Sequence, residues 1–208
     1  MIDFENIAIP VYGLTLSDAS NISDFINQFH GKTEFDLTII ATSITDFWNA
    51  VQDCVRKSMK DGDELIIICS ERHSFTKDYH RDIFFKDTIR TQGMGCDILL
   101  IGTNGFNHAV PISDTLFWID KFENAEFIVI YRKLFNKILE NHITHPTISN
   151  CLSHLASNII CTTPFMSLYS RKTSLDQDGE MIDNFSHESY HIASEKLSLY
   201  SKIYTKYH

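Results

Sequence analysis

Short, continuous apolar runs alternate along this chain with longer segments of helical period. The runs cover residues 7–14, 35–41, 64–69, 96–102 and 126–131. They are rich in β-branched residues and show little polar alternation, as expected of strands buried on both faces of a sheet. Between them, apolar residues recur at helical spacing, for example at Trp48, Val51, Val55 and Met59. This alternation predicts an α/β fold with a mostly parallel sheet and flanking crossover helices.

The chain length sets the domain organisation. With 208 residues, the chain is long enough for one domain with a small appendage. We expect residues 1–170 to form the α/β domain and residues 171–208 to form a polar connection followed by a C-terminal helix. In residues 186–208 an apolar stripe recurs at spacings of four and three, at Ala193, Leu197, Tyr200, Tyr204 and Tyr207. This spacing predicts an amphipathic helix that packs on the domain, and the same helix offers a route to a homo-oligomer.

Composition and charge limit which binding partners and which cellular compartment we expect for this protein. The chain has 18 basic and 27 acidic residues, a net charge of −9, and no basic stripe, which argues against a large nucleic-acid interface. No apolar run approaches the length of an integral membrane segment, and the start, MIDFENIAIP, lacks the basic region of a signal peptide. Five cysteines without C-x-x-C spacing are typical of a reduced, cytoplasmic protein.

The end of the third apolar run carries a dense group of polar residues. Ser70, Glu71, Arg72 and His73 follow this run directly, and in open α/β sheets ligands bind beyond the carboxyl ends of the strands. A charged turn that precedes a helix would have the same composition. The residues alone therefore leave a binding site and a simple turn as alternatives.

From about residue 61 to residue 139 the chain resembles bacterial GT-A-type glycosyltransferases of surface-polysaccharide biosynthesis, akin to glycosyltransferase family 25. The resemblance rests on DGDELIIICSERHSFTKDY, DILLIGTNGFNHAVPISDTLFWID and EFIVIYRKLFNKIL. It implies a GT-A-like, Rossmann-like sheet, a nucleotide-sugar donor and a glycan acceptor. It also implies an acidic motif of the form E-D-D-H after the third strand, which holds a divalent cation against the diphosphate of the donor.

The chain departs from this acidic motif, since it has Ser70, Glu71, Arg72 and His73 at these positions. Mg²⁺ and Mn²⁺ prefer oxygen ligands that include carboxylates, so Ser70 and Arg72 disfavour a metal, and we assign no metal ligand. A guanidinium matches phosphate geometry and stays charged. Arg72 would then bind the pyrophosphate, and Glu71 or His73 would act as the catalytic base on the acceptor.

The resemblance assigns further substrate-binding residues to two other segments. The end of the first strand, Val11-Tyr12-Gly13, corresponds to the segment that contacts the nucleotide base. Asn107, His108 and Trp118 lie in the irregular stretch 103–124, which corresponds to a loop near the sugar. Burial in the core is the alternative for Tyr12 and for Trp118.

A second motif lies near the C-terminus, where residues 187–191 read HESYH. The pattern H-E-x-x-H is typical of zinc peptidases, but Ser194 and Leu197 occupy the positions at which the longer motif has its glycine and third histidine. We therefore expect His187 and His191 to lie on a packed helix without holding zinc.

The sequence supports two functional hypotheses. The first is a glycosyltransferase that transfers a sugar from a nucleotide sugar to a polysaccharide acceptor without a strict need for metal. The second is a catalytically silent homologue that binds a ligand or a protein in the same cleft. A base close to Glu71 would favour the first hypothesis, because deprotonation of an acceptor hydroxyl requires one.

Overall fold

The computed structural model describes residues 7–16, 22–142, 147–169 and 177–207. In this part of the chain the strands are β1 (Ile9–Leu16), β2 (Phe35–Thr42), β3 (Leu65–Ser70), β4 (His73–Phe75), β5 (Ile98–Leu100), β6 (Ala109–Pro111), β7 (Leu116–Ile119), β8 (Phe127–Tyr131), β9 (Ile159–Thr162) and β10 (Ser167–Tyr169). The helices are α1 (Ile22–Asn27), α2 (Phe47–Asp61), α3 (Arg81–Gly93), α4 (Arg132–Glu140), α5 (Ile148–Leu155) and α6 (Gln177–Tyr207). Each of the five apolar runs forms a strand, which confirms the α/β fold class.

Eight strands form one sheet in the order β2-β1-β3-β8-β5-β9-β7-β6. Strand β1 pairs in parallel with β2 and β3, and β5 pairs in parallel with β9. The other four pairings are antiparallel, so the sheet is mixed where the sequence predicted a mostly parallel one. The reason is the stretch between β5 and β8, which contains the β6–β7 hairpin instead of a crossover helix. A parallel return needs such a crossover, whereas an antiparallel one does not.

Two hydrophobic cores lie on the two faces of this sheet. Along β3, Ile66 and Ile68 belong to the first core, and Ile67 and Cys69 belong to the second. Helices α2, α4, α5 and α6 contribute to the first core, and α1 and α3 contribute to the second. Burial on both faces explains why these strands lack polar alternation.

The C-terminal helix α6 packs on the first core. Tyr190, Ala193 and Leu197 are buried, and Tyr200 is partly buried against the same core. Tyr207, in the last turn, is 72% exposed, so the predicted stripe is wrong at this position because the domain no longer covers the helix there. The predicted boundary at residues 170–171 and the start of the polar connection lie outside the described residues.

All five cysteines are buried free thiols. Cys69 lies in the second core and Cys161 in the first, where each packs as a small apolar residue. Among the described helices, none has the length and apolar character needed to cross a membrane.

Candidate functional site

A cavity of about 420 Å³ opens where β1 and β3 end. Leu14 and Leu16 line it from the end of β1, and Ser70, Glu71 and Arg72 line it from the end of β3. Strand β1 lies between β2 and β3. The chain therefore runs from β1 to β2 on one side of β1 and then crosses to β3 on the other side. Such a switch point is where doubly wound sheets bind their ligands.

The remaining wall of the cavity combines apolar and polar groups. The apolar part includes Phe47, Ile68, Ile128 and Ile148. The polar part includes Asn104, Asn124, Thr147 and Ser149. A mostly apolar cleft with a few convergent polar groups is the usual composition of a small-molecule site.

Glu71 connects the ends of the two strands that form the cavity. Its Oε2 accepts a hydrogen bond from the backbone N–H of Leu16 at 3.2 Å, and its own N–H donates to the carbonyl of Leu14 at 3.2 Å. In the same turn, Ser70 Oγ accepts from the N–H of Arg72 at 3.1 Å. These bonds hold the predicted residues Glu71 and Arg72 at the cavity wall.

Arg72 supplies a positive charge to this wall. Its guanidinium lies 5.3 Å from the ring centroid of Tyr169, and Nη1 donates to the hydroxyl of that tyrosine. Tyr169 ends β10, so the second half of the chain holds Arg72 in place. A guanidinium positioned in this way can donate charge-assisted hydrogen bonds to a phosphate.

Glu126 is one of the cavity residues that sequence reasoning missed. Burial raises the pKa of its carboxyl, against the opposing effects of the hydrogen bond with Ser70 and the charge of Arg72. Its carbonyl accepts from the N–H of Ser70 at 2.9 Å, and the residue lines the same cavity as Glu71. A carboxyl with a raised pKa in a cleft is a candidate acid or base.

The position of Glu126 explains why it was missed. It precedes β8, so in the sequence it is merely the first residue of an apolar run. Only the antiparallel pairing of β3 with β8 brings the start of β8 to the end of β3. In the sequence, the only signal for Glu126 is that an acidic residue flanks a buried strand. Many strands are flanked by acidic residues, so this signal is not specific.

The C-terminal helix also contributes to the cavity, through Tyr190. This residue is 1% exposed, and its hydroxyl accepts a hydrogen bond from the N–H of Glu126 at 3.1 Å. Burial and the nearby Glu126 raise the pKa of Tyr190. Tyr190 belongs to the HESYH motif, so this motif supplies a tyrosine to the cavity.

The histidines of this motif do not come together at the cavity. His191 is exposed, with Nε2 at 3.3 Å from Glu195 Oε1, and His187 is half-buried. Across the described part of the chain, no three His, Cys, Asp or Glu side chains gather closely enough to hold a metal ion.

The structure separates His73 from Glu71. His73 is 1% exposed, its Nδ1 lies 2.8 Å from Ser167 Oγ, and the rings of Phe75 and Phe127 pack against it. Burial lowers the pKa of His73 to about 3. Its place in an aromatic cluster does not support the predicted role of His73 as a catalytic base.

The predicted nucleotide segment Val11-Tyr12-Gly13 is part of the core. Val11 and Tyr12 are buried, and the Tyr12 hydroxyl lies 3.0 Å from Ser58 Oγ. At Gly13 a Cβ would lie 2.6 Å from the ring of Phe25. None of the three lines the cavity, and the next residues of β1 do so instead.

The predicted sugar-binding residues lie on the hairpin at the edge of the sheet. Asn107 and His108 are exposed, and His108 Nδ1 lies 2.8 Å from Asp120 Oδ2. Trp118 is partly buried on β7 opposite Val110. These residues do not line the cavity because the hairpin carries them away from β3. Asn104, at the start of the same stretch, does line it.

Known proteins resemble this chain in structure and not in sequence. No protein-family model matches the sequence, and no curated protein matches it. UDP-glucose pyrophosphorylase complexed with UDP-glucose gives a TM-score of 0.47 at 12% identity over 90% of this chain and 81% of that chain. HddC from Yersinia pseudotuberculosis gives 0.42 at 13% identity over 90% and 78%. A197 from STIV gives a TM-score of 0.58 at 10% identity over 80% of this chain and 87% of that chain, and the two share a fold.

Proposed function

We propose that this chain is a GT-A-type glycosyltransferase that binds a nucleotide sugar in the cavity between the ends of β1 and β3. The observation that carries the proposal is the convergence of one cation, Arg72, and two carboxyls, Glu71 and Glu126, on one cavity at a switch point of the sheet. The cavity volume of about 420 Å³ falls within the range of small-molecule sites.

The reaction would use these groups as follows. A hydroxyl oxygen of the acceptor forms a bond to the anomeric carbon as the bond from that carbon to the donor phosphate breaks. The hydroxyl proton passes to a carboxylate, and the nucleoside phosphate leaves with its charge stabilised by Arg72. We assign Glu126 as the base, because a raised pKa strengthens a carboxylate as a proton acceptor.

The GT-A resemblance also implies a divalent cation beside the donor diphosphate. The donor set at the end of β3 does not fit one, because Ser70 and Arg72 stand where the motif has carboxylates and the guanidinium of Arg72 lies at the cavity wall. A hard cation requires oxygen ligands and is repelled by a neighbouring positive charge. We therefore propose donor binding without a strict metal requirement.

Donor binding can be tested by calorimetric titration with UDP-, GDP- and CMP-sugars, with and without Mn²⁺. We expect one of these donors to bind without Mn²⁺. Arg72→Ala should weaken that binding by about 1.5–3 kcal/mol, or roughly ten- to a hundredfold. The matched control is Arg56→Ala, which removes an exposed arginine of α2 that pairs with Asp53. Binding that strictly requires Mn²⁺ would overturn metal independence, and equal affinity of the two variants would overturn the role of Arg72.

Turnover separates the glycosyltransferase from the silent homologue. The readout is release of the nucleoside phosphate from whichever donor binds. Glu126→Gln keeps the shape of the side chain and removes the titrating proton, so we expect donor binding to persist and release to stop. Binding by the unaltered protein without any release would support the silent homologue instead.

A further inference from the structure

The outer face of α6 carries an apolar stripe that the domain does not cover. Ile192, Leu199 and Ile203 are 58%, 56% and 50% exposed, and their spacings of seven and four residues are those of a helix that packs on another helix. The opposite face of α6 buries Tyr190 and Leu197 in the first core. We call Ile192, Leu199 and Ile203 the outer stripe.

Contacts with the domain fix the orientation of α6, so the outer stripe cannot turn inward. Ser201 Oγ donates to the carbonyl of Asp114 at 2.6 Å. Lys196 Nζ lies 4.4 Å from the ring centroid of Phe106, so its ammonium group points to the domain of its own chain. Together with the buried Leu197, these contacts fix the orientation of the helix at residues 196–201.

The apolar surface continues from the outer stripe onto the edge of the sheet. A groove of about 340 Å³ lies between α6 and β6, lined by Ala109, Pro111, Tyr200, Ile203, Tyr204 and Tyr207. Val110 on the edge strand β6 is 53% exposed. Exposed apolar side chains next to such a groove make this part of the surface a candidate interaction surface.

The charged residues beside the outer stripe are complementary to the same residues of a second, antiparallel copy. Glu195 lies in the N-terminal half of this region and Lys202 in the C-terminal half, and both are exposed. If two copies of α6 pack antiparallel about a two-fold axis between residues 197 and 198, Ile192 of each copy lies beside Ile203 of the other. The same pairing brings Glu195 of each copy to within two residues, or about 3 Å along the helix axis, of the position opposite Lys202 of the other copy, twice by symmetry. Glu188 and Lys206 extend the pattern to the ends of the stripe.

From these observations we propose that the outer stripe is the interface of a homodimer in which two α6 helices pack antiparallel. The proposal is independent of the function proposed for the cavity. The exposed apolar side chains supply the burial, and the Glu195–Lys202 pairs set the antiparallel direction and the register. An anionic membrane surface is a poorer occupant, because the chain carries a net charge of −9.

Charge reversal in the full chain tests this arrangement by sedimentation velocity. We expect the unaltered protein to dimerise. Glu195→Lys and Lys202→Glu should each raise the dissociation constant of the dimer at least about tenfold, because each places like charges together at two symmetric positions. The double variant should recover the original dissociation constant. Residues seven apart lie two turns from each other on one helix, so recovery reports contact between copies.

Two control variants complete the experiment. Lys137→Glu makes the same charge change on the exposed face of α4 and should leave dimerisation unchanged. Ile203→Asp should abolish the dimer while the circular dichroism spectrum of the unaltered protein is retained. A monomer at every concentration, or a dimer that neither single reversal weakens, would overturn the proposal. A monomer that co-sediments with vesicles of phosphatidylglycerol would overturn it in favour of a lipid surface.

Discussion

The backbone N–H of Glu126 donates a hydrogen bond to the hydroxyl of Tyr190 at 3.1 Å. This bond joins the start of β8 to the C-terminal helix at the wall of the cavity. The helix is therefore part of the candidate site as well as of the core. Any change that loosens α6 near Tyr190 is expected to disturb the residue that we assign as the base.

Tyr190→Phe tests that connection. The variant keeps the ring in the core and removes the acceptor of the Glu126 N–H, so it should lower the free energy of unfolding by about 1–2 kcal/mol. Chemical denaturation measures the change. Tyr200→Phe, on the same helix and only partly buried, is the control and should stay within about 0.5 kcal/mol. Equal effects of the two variants would contradict the importance of the bond.

Glu126→Gln should change the pH dependence of stability. The pKa of Glu126 is raised in the folded protein, so the folded state holds this proton more tightly than the unfolded state does. That contribution to stability is present below the ordinary pKa of a glutamate and is lost as the pH rises through the folded value. Glutamine does not ionise, so the Glu126→Gln variant does not lose this stability as the pH rises. Its Tm should therefore exceed that of the unaltered protein at pH 8 and approach it at pH 4.

Glu140→Gln is the control for this measurement, since Glu140 is exposed on α4. A Glu126→Gln protein that is less stable than the control at pH 8 would show that the charged carboxylate is needed for folding. That result would argue against a base with a raised pKa.

His73 should make the protein sensitive to acid. Burial lowers the pKa of His73 to about 3 from 6.5, so below pH 6.5 the unfolded state binds a proton that the folded state does not. Stability should then fall by about 1.4 kcal/mol for each pH unit between about 6 and 3. His73→Gln should reduce this slope by one proton, whereas His142→Gln, at an exposed position, should leave it unchanged. Denaturation midpoints at several pH values give the slopes, and identical slopes would rule out a buried neutral His73.

Two glycines should respond to alanine in opposite directions. At Gly102 a Cβ would overlap the carbonyl oxygen of Ser167, which is backbone and cannot move aside cheaply. We expect Gly102→Ala to cost about 3 kcal/mol or more. At Gly93, in α3, nothing lies within 4 Å of the added Cβ, and alanine should stabilise the helix by up to about 1 kcal/mol. Thermal unfolding of both variants checks the two signs.

The sequence predicted the strands β1, β2, β3, β5 and β8, because burial on both faces leaves a continuous apolar run, as at residues 64–69 and 126–131. It predicted the parallel pairing of β1 with β2 and β3 but not the antiparallel direction of β8. Whether β8 runs parallel or antiparallel to β3 depends on what lies between β5 and β8, and the short strands β6 and β7 have no distinctive period. Local patterns report burial, whereas strand pairing is a tertiary property.

The sequence likewise predicted some of the residues that line the candidate site and missed others. Glu71 and Arg72 line the cavity, at the end of a buried strand where ligands of α/β sheets commonly bind. His73 does not line the cavity with them, since β3 ends at Ser70 and β4 begins at His73, and the chain turns toward the second core between them. Glu126 and Tyr190 reach the cavity only through the fold, from distant parts of the sequence.

Strand β8 is paired on both sides, with β3 and with β5. Its alternate residues fill two different cores, Ile128 and Ile130 in one, Phe127 and Val129 in the other. A shift of one residue along either neighbour would exchange these two sets, so misalignment is penalised along the whole strand. The register of β8 with its two neighbours therefore fixes the position of Glu126. Substitution of the acid would therefore leave the strand in register, and new chemistry could evolve at this position without rebuilding the sheet.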